Sequence, residues 1–451
     1  MKDLQQLLDG IVDRAGPGEH VEAYGVDETD TTVKAYDGEV EALSSARTRG
    51  VGVRVISGGR VGYAYTADLG EAALAETLDE ARANASVSTP DEANVLPRPD
   101  RDRPPADMPG LYDPAFEEVP AQAKVDAALA LEAAARGAGP PVKGVDSATY
   151  GDGVRTAAIA STTGLRGSYT RCDAYVVVEV LAEADGASTS AYGLDMGRLL
   201  RDLDLEAAAA EAVLRATRLL GGRKPASAKV PIVFDPFVTA SFLGVLAGAL
   251  TAESVQKGRS LFAGRVGERV GGVHLTLVDD GSLMEGPAAA PWDGEGVATG
   301  RTPLIEDGVI SGWLHNSYTA AKDGTASTGN ASRAGFKSPP GVAPTNLFLA
   351  PGDEDQQALL ARAGTGFYCQ QVMGIHSGAN PISGDFSVGA AGLMIRDGQL
   401  AEPVREAVIA GTIPEMLTGL GAVGSDLRFL PFGGGMGGAT LLIEGMTLAG
   451  G

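Results

Sequence analysis

Four histidines and two cysteines are the first candidates for chemistry in this 451-residue chain. His20, His274, His315 and His376 lie far apart, no two of them share a helical face at i, i+4, and H-E-x-x-H is absent. A helix-borne zinc site needs two imidazoles about one turn apart, so a metal here would have to draw on distant single ligands. Ser377 follows His376 in GIHSGANPISGD, and Cys369 precedes that histidine by seven residues. A Ser377–His376 or Cys369–His376 pair stays open, because such pairs are recognised by geometry and not by spacing. No G-x-S-x-G elbow supports it, and a structural Cys369 on the strand-like run GTGFYCQQV competes with it. The glycines at 433–438 formally match G-x-G-x-x-G, yet the strand-like ATLLIEGM follows where a pyrophosphate would need a helix N-terminus. Asp279-Asp280 and Glu306-Asp307 fall at strand ends or turns, with no mark of a tuned acid/base couple.

The elements that must position these groups come from a globular composition, 44% apolar and 21% charged. A net charge of −22 without a basic stripe argues against nucleic acid and anionic lipid as partners. Two distant cysteines make no disulfide framework, and the acid-bearing amphipathic N-terminus lacks a signal peptide's apolar core. A cytoplasmic location without a membrane span is expected.

Residues 4–15 read as a helix, and residues 21–65 as a meander of about five short strands: VEAYGV, TTVKAY, EVEALSSA, GVGVRVI and RVGYAY. Asp37-Gly38 and Gly58-Gly59 supply tight turns. A helix over 70–84 covers one face. Eight prolines between 87 and 120 predict a linker or extended excursion. Helices follow over 120–136 and 205–220, with strands over 144–160 and 173–184. From Lys229 the chain turns β-rich. KVPIVFDP reads as a buried strand, Phe237 to Leu250 as a helix, and hairpins turn at Asp307-Gly308 and Asp397-Gly398. A short helix is expected over 413–420. The fold class is therefore α+β: an N-terminal α/β layered region of antiparallel meander and helices, then a β-rich, barrel-like domain. The expected boundaries are 1–86, a Pro-rich linker over 87–119, a second α/β region over 120–226, and 227–451.

Long stretches of the C-terminal half carry a resemblance. TPLIEDGVISGWLHNSYTAAKDGTASTGNASR (302–333), PTNLFLAPGD (344–353) and ISGDFSVGAAGLMIRDGQLAEPVREAVIAGTIPEMLTGLGAVGSD (382–426) are similar to segments shared by the TldD/PmbA family. The last of them resembles the TldE/PmbA version. The likeness covers nearly the whole chain.

What the resemblance implies is a two-subunit metallopeptidase. Its TldD-type subunit holds zinc through H-E-x-x-x-H on a helix and a later cysteine. The matching place here is 243–249, LGVLAGA, which has no His, Glu or Cys, and residues 427–440 have no cysteine. By resemblance, then, this chain is a subunit without metal or catalytic residues, inactive without a TldD-type partner that carries the zinc. It shapes a cleft for unstructured, extended peptides, and a homodimer is open in isolation. His376, Ser377, Gly384, Asp385 and Ser387 are the candidate peptide-binding residues, with a glycine-rich turn as the competing explanation. The other readings are an independent hydrolase using Ser377 or Cys369 with His376, and a peptide-binding scaffold without catalysis.

Overall fold

The computed structural model describes residues 3–430 and 434–450. Six strands build one antiparallel sheet: β1 (Glu19–Tyr36), β2 (Glu39–Ser57), β3 (Arg60–Thr66), β4 (Val142–Ser161), β5 (Arg166–Ala184) and β6 (Ala187–Gly197), in the order β3-β2-β1-β4-β5-β6. The stretches on either side of the proline-rich segment thus share a sheet. The meander expected over 21–65 has three strands and not five: β1 runs for 18 residues and β2 for 19. DETDT looks like a turn by composition, but Asp27 stands opposite Arg49 in the ladder and pairs with Arg47 (2.8 Å) and Arg49 (3.1 Å). Cross-strand charge pairs carry the strand through its polar middle. The turns themselves are as read, with φ of 56° and 80° at Asp37-Gly38 and 55° and 73° at Gly58-Gly59.

Alternation along β1 assigns the two faces of the sheet. Val21, Ala23, Val33 and Ala35 face the helices α1 (Leu4–Val12), α2 (Glu71–Val87), α3 (Ala121–Gly137) and α4 (Leu205–Thr217). These helices bury small side chains and lie very close to the sheet. A Cβ on Gly193 would stand 1.9 Å from Ala208 O, and one on Gly62 2.0 Å from Ala81 O, so neither position takes a side chain. Tyr24 and Val26 face the other way, onto Trp292 and Phe336 of the C-terminal region. The proline-rich stretch is an extended excursion with two 3-10 turns, Pro109–Leu111 and Pro114–Glu118, pinned by buried Leu111 and Phe116.

The C-terminal region begins with β7 (Ala228–Phe234), α5 (Pro236–Ala249) and α6 (Ala252–Gln256). It continues with β8 (Leu277–Asp280), β9 (Arg301–Glu306), β10 (Val309–Ile310), α7 (Ser317–Asp323), β11 (Ala331–Ser332), β12 (Gly341–Val342), β13 (Leu347–Leu349) and α8 (Gln356–Ala363). Then come β14 (Gly366–Met373), α9 (Ile375–Gly378), β15 (Asp385–Arg396), β16 (Gln399–Thr412), α10 (Ile413–Thr418), β17 (Leu420–Val423), β18 (Arg428–Phe429), β19 (Met436–Gly438) and β20 (Leu441–Gly450). Strands run β16-β15-β14-β7-β20, and β16 also pairs with β20, which closes a barrel. A second sheet runs β10-β9-β8-β13-β19-β18. The largest core lies between barrel and second sheet, and α5 runs through it.

Candidate functional site

Helix α5 is fixed at its start by groups from three elements. The Asp235 carboxylate caps it, accepting from Phe237 N at 3.0 Å. Its other oxygen accepts from Arg215 Nη1 of α4 at 2.7 Å and from Tyr368 Oη of β14 at 2.6 Å. Arg215 also donates to Gln370 O at 3.0 Å and lies 4.2 Å over the Phe237 ring. Burial, then the adjacent Asp235 carboxylate, pushes the Tyr368 phenol well above its ordinary range, so it stays a donor. Strand β19 closes against the same end: a Cβ on Gly438 would lie 1.8 Å from Pro236 O. The start of α5 and the end of β19 therefore meet; the resemblance puts zinc ligands further along that helix, at 243–249, and within 427–440.

The donor set at this junction does not suit zinc. Leu243, Leu246 and Ala247 are buried in the core, Val245 is half-buried, and Gly244 and Gly248 are exposed, where an added Cβ would meet nothing within 4 Å. Among the described residues no group of three or more His, Cys, Asp or Glu could hold a metal ion. His20, His274 and His376 are exposed and separate; His315 is buried, and that burial lowers its pKa. Gly433 and its two predecessors lie outside the described residues, so the formal glycine signature is not seen whole.

The five candidate peptide-binding residues form one patch on the flank of α5. His376 and Ser377 sit exposed on α9; Ser377 Oγ donates only to Gly374 O, at 3.2 Å. Gly384 is buried at φ 82° and its carbonyl accepts from Ile413 N at 2.7 Å. Asp385 and Ser387 are exposed at the start of β15, and a Cβ on Gly378 would meet Ser387 O at 2.5 Å, so α9 rests on that strand. Between them Phe386 turns inward and meets Phe242 of α5 edge-on at 5.1 Å. Cys369 belongs elsewhere. It is fully buried on β14, and burial with the nearby Asp235 carboxylate pushes its thiol far up, opposite to what a nucleophile needs. No hydrogen bond among the described residues joins His376 to Ser377 or Cys369.

Three domain families match in sequence: PmbA/TldA metallopeptidase domain 1 over residues 21–85, the central domain over 114–220, and the C-terminal domain over 227–450. The chain belongs to the PmbA/TldD metallopeptidase family. Metalloprotease PmbA of Escherichia coli O157:H7 is 29% identical over 409 residues, covering 89% of this chain and 86% of that protein. A Thermotoga maritima structure described as a modulator of a DNA gyrase superposes with a TM-score of 0.91 at 25% identity, covering 99% of this chain and 100% of that one. The fold of TldE from Thermococcus kodakarensis also matches, with a TM-score of 0.86 at 23% identity over 99% of each chain. A TldE/PmbA-type member is consistent with these likenesses.

Two buried carboxylates stand out in this PmbA/TldD-family chain: Asp279, which the sequence named without any mark of tuning, and Asp293, which it did not single out. Asp279 is buried and its pKa is pushed up to about 6, chiefly by burial, although Asn330 Nδ2 (2.6 Å), Thr345 N (2.7 Å) and Thr345 Oγ1 (2.8 Å) donate to it. Asp293 rises to about 7 through burial and the neighbouring Glu295 carboxylate. It accepts from the backbone N–H of Glu295, Val297 and Ala331, so it holds a turn together. Only the WDGEG turn composition hinted at it; burial is not written in local sequence.

A cleft of about 380 Å³ opens between the N-terminal sheet and the segment before β19, lined by Asp30, Asp173 and Tyr175 on one side and Leu430 and Gly435 on the other. Burial, with the carboxylates of Glu28 and Asp173, raises the Asp30 pKa. Asp173 is matched by Arg171 at 2.7 Å and Arg198 at 3.1 Å. Among the described residues no helix is long and apolar enough to cross a membrane.

Proposed function

We propose that this chain is the TldE/PmbA-like, non-catalytic subunit of a TldD/TldE-type metallopeptidase that cleaves unstructured peptides in the cytoplasm. One observation carries the reading. The family relationship is shown, yet helix α5, where the catalytic relatives are expected to bear H-E-x-x-x-H, presents Leu243, Val245, Leu246 and Ala247 to its surroundings. Aliphatic side chains pack a helix and ligate nothing. Hydrolysis is left to a TldD-type partner that carries zinc and a glutamate base.

This chain's part is to complete the enclosure. An extended peptide is held through its main chain, a mode that tolerates many sequences and rejects folded proteins. The patch of His376, Ser377, Gly384, Asp385 and Ser387 lines the path, with Ser387 and Asp385 at an accessible strand start and His376 and Ser377 on the adjacent turn of helix. The buried thiol of Cys369, and the lack among the described residues of a hydrogen bond from His376 to either nucleophile, weigh against an independent hydrolase.

Metal analysis of the purified chain after equilibration with zinc, beside a peptide-cleavage assay of the chain alone, tests this. Substoichiometric zinc and no turnover are expected. One tightly held zinc per chain, or turnover by the chain alone, contradicts it.

A further inference from the structure

The helix-facing side of the N-terminal sheet is apolar towards both ends and polar in the middle. Against α1 and α2 it presents Val21, Ala23 and Val53; against α3 and α4 it presents Val33, Ala148 and Val178. Between them the ladder sets Asp27 opposite Thr156, Thr29 opposite Val154, and Thr31 opposite Asp152, and Thr156 in turn stands opposite Thr170. Residues opposed in a ladder point to the same face, so all of these side chains share the helix side. The proline-rich excursion roofs this band with Tyr112, Phe116 and Val119, joined by Lys124 from the first turn of α3, and a cavity of about 570 Å³ is left beneath. It lies on the face opposite the cleft, whose floor takes the alternate residues Asp30, Asp173 and Tyr175.

The buried charges of the cavity are already matched. Arg47 donates to both oxygens of Asp27, at 2.8 Å each. Lys124 meets Asp152 Oδ2 at 2.6 Å, the Tyr150 phenol donates to the same oxygen at 2.8 Å, and the Lys124 and Asp152 side chains are only 12% and 2% exposed. A charged ligand would have to take a partner from such a pair, which at Lys124 and Asp152 strands a buried charge. Glu117 is exposed, and one carboxylate in water holds a cation weakly. A peptide main chain held as an added strand needs an open edge, and β1, β4 and β5 are paired on both sides. What the floor offers is hydroxyl groups: those of Thr29 and Thr31, and of Thr156 and Thr170, which bond each other at 2.8 Å. A threonine hydroxyl both donates and accepts, as a ligand hydroxyl does, and a paired carboxylate keeps lone pairs for further donors. Tyr112 and Val154 add apolar surface beside them.

We propose that this cavity binds a neutral, polyhydroxylated molecule of sugar size, a mono- or disaccharide. Its hydroxyls meet the threonine floor and the carboxylates of Asp27 and Asp152, and its C–H groups meet Tyr112 and Val154. The volume falls within the range of small-molecule sites. Each ligand hydroxyl exchanges water for protein partners at little net gain, so the affinity is modest, with Kd of about 1 mM or tighter.

Ligand-observed NMR and calorimetry on the full chain test this with glucose, N-acetylglucosamine, maltose and trehalose, beside inorganic phosphate, putrescine and N-acetylalanine amide. At least one sugar is expected to bind with Kd of about 1 mM or tighter, and none of the three other probes more tightly than that sugar. Thr29→Trp fills the cavity and is expected to weaken the sugar about tenfold or more, with an unchanged circular dichroism spectrum. Thr156→Val together with Thr170→Val removes both hydroxyls at nearly constant size and is expected to weaken it about threefold or more, which keeps the test decisive if the tryptophan variant does not fold. No sugar binding with Kd below about 10 mM overturns the proposal. So does a sugar whose affinity survives the variants, because it then binds elsewhere. Phosphate, putrescine or the amide binding more tightly than every sugar, and lost on Thr29→Trp, also overturns it and assigns the cavity to that class.

Discussion

Two buried regions of this molecule treat charge in opposite ways. Around α5, Phe237, Phe242, Leu243 and Leu246 pack into aliphatic and aromatic neighbours, and the polar anchors gather at the helix start around Asp235. At the seam between the N-terminal sheet and the C-terminal region, charge is concentrated. Glu22 of β1 pairs with Arg54 of β2 at 2.7 Å, Arg54 with Glu295 at 2.8 Å, and Arg333 with Glu22, all of them almost fully buried. Burial pulls the Arg54 guanidinium pKa down, but the Glu22 and Glu295 carboxylates outweigh it and the net shift is upward. Glu295 also accepts from Ser317 N at 2.8 Å, and Arg333 stacks 4.8 Å over Tyr24. In this chain buried charge joins layers, and the helix where relatives are expected to keep their chemistry has become packing.

The largest effect is expected from breaking the seam. Arg54→Met leaves the buried Glu295 carboxylate without a cation and Glu22 with Arg333 alone, and should cost about 3–5 kcal/mol in urea unfolding. Restoring complementarity with Glu295→Gln in the same chain, which leaves Glu22 paired with Arg333, should recover part of that loss, which a purely steric defect would not allow. Cutting the packed side of the comparison comes next. Phe242→Ala removes the ring between Phe234 and Phe386 and should cost about 3 kcal/mol. It should also speed proteolysis of the 376–387 patch, which leans on that ring.

A smaller effect separates the two regions by pH. Asp279 is raised from its ordinary value to about 6 in the fold, so the folded chain holds more protons than the unfolded one between about pH 4 and 6. Its contribution is fully present below about pH 4 and is lost as pH rises through 6. Asp279→Asn should flatten the decline of stability over that window by on the order of 2 kcal/mol, read from urea midpoints at several pH values. Asp293 extends the same slope toward about pH 7. Substitutions in α5 should leave the slope untouched. The smallest change expected in stability is from Ser377→Ala, within about 0.5 kcal/mol, since the side chain is exposed and makes one local hydrogen bond. If the patch lines the peptide path, the same variant raises KM in the reconstituted enzyme.

Local chemistry made much of this fold legible. Asp-Gly and Gly-Gly pairs marked the turns, and all four prominent ones adopt positive φ. Leu4, Leu8 and Ile11 at helical spacing marked α1, and Pro236 after Asp235 opened α5. What stayed hidden depends on partners distant in sequence. DETDT in β1 looks like a turn until Arg47 and Arg49 are placed opposite it. The seam joins Glu22 to residues near 295 and 333, a pairing that no periodicity announces. The apolar run at 243–249 was plain in the sequence, whereas the meeting of the start of α5 with β19 needed the fold.

The most direct test of the central claim is cleavage of an unstructured peptide by the chain mixed with a TldD-type protein that carries H-E-x-x-x-H, the proposed partner, with and without a chelator, beside each protein alone. The account predicts chelator-sensitive cleavage in the mixture and none from this chain alone. Chelator-resistant cleavage by this chain alone would contradict it and return attention to His376 and Ser377.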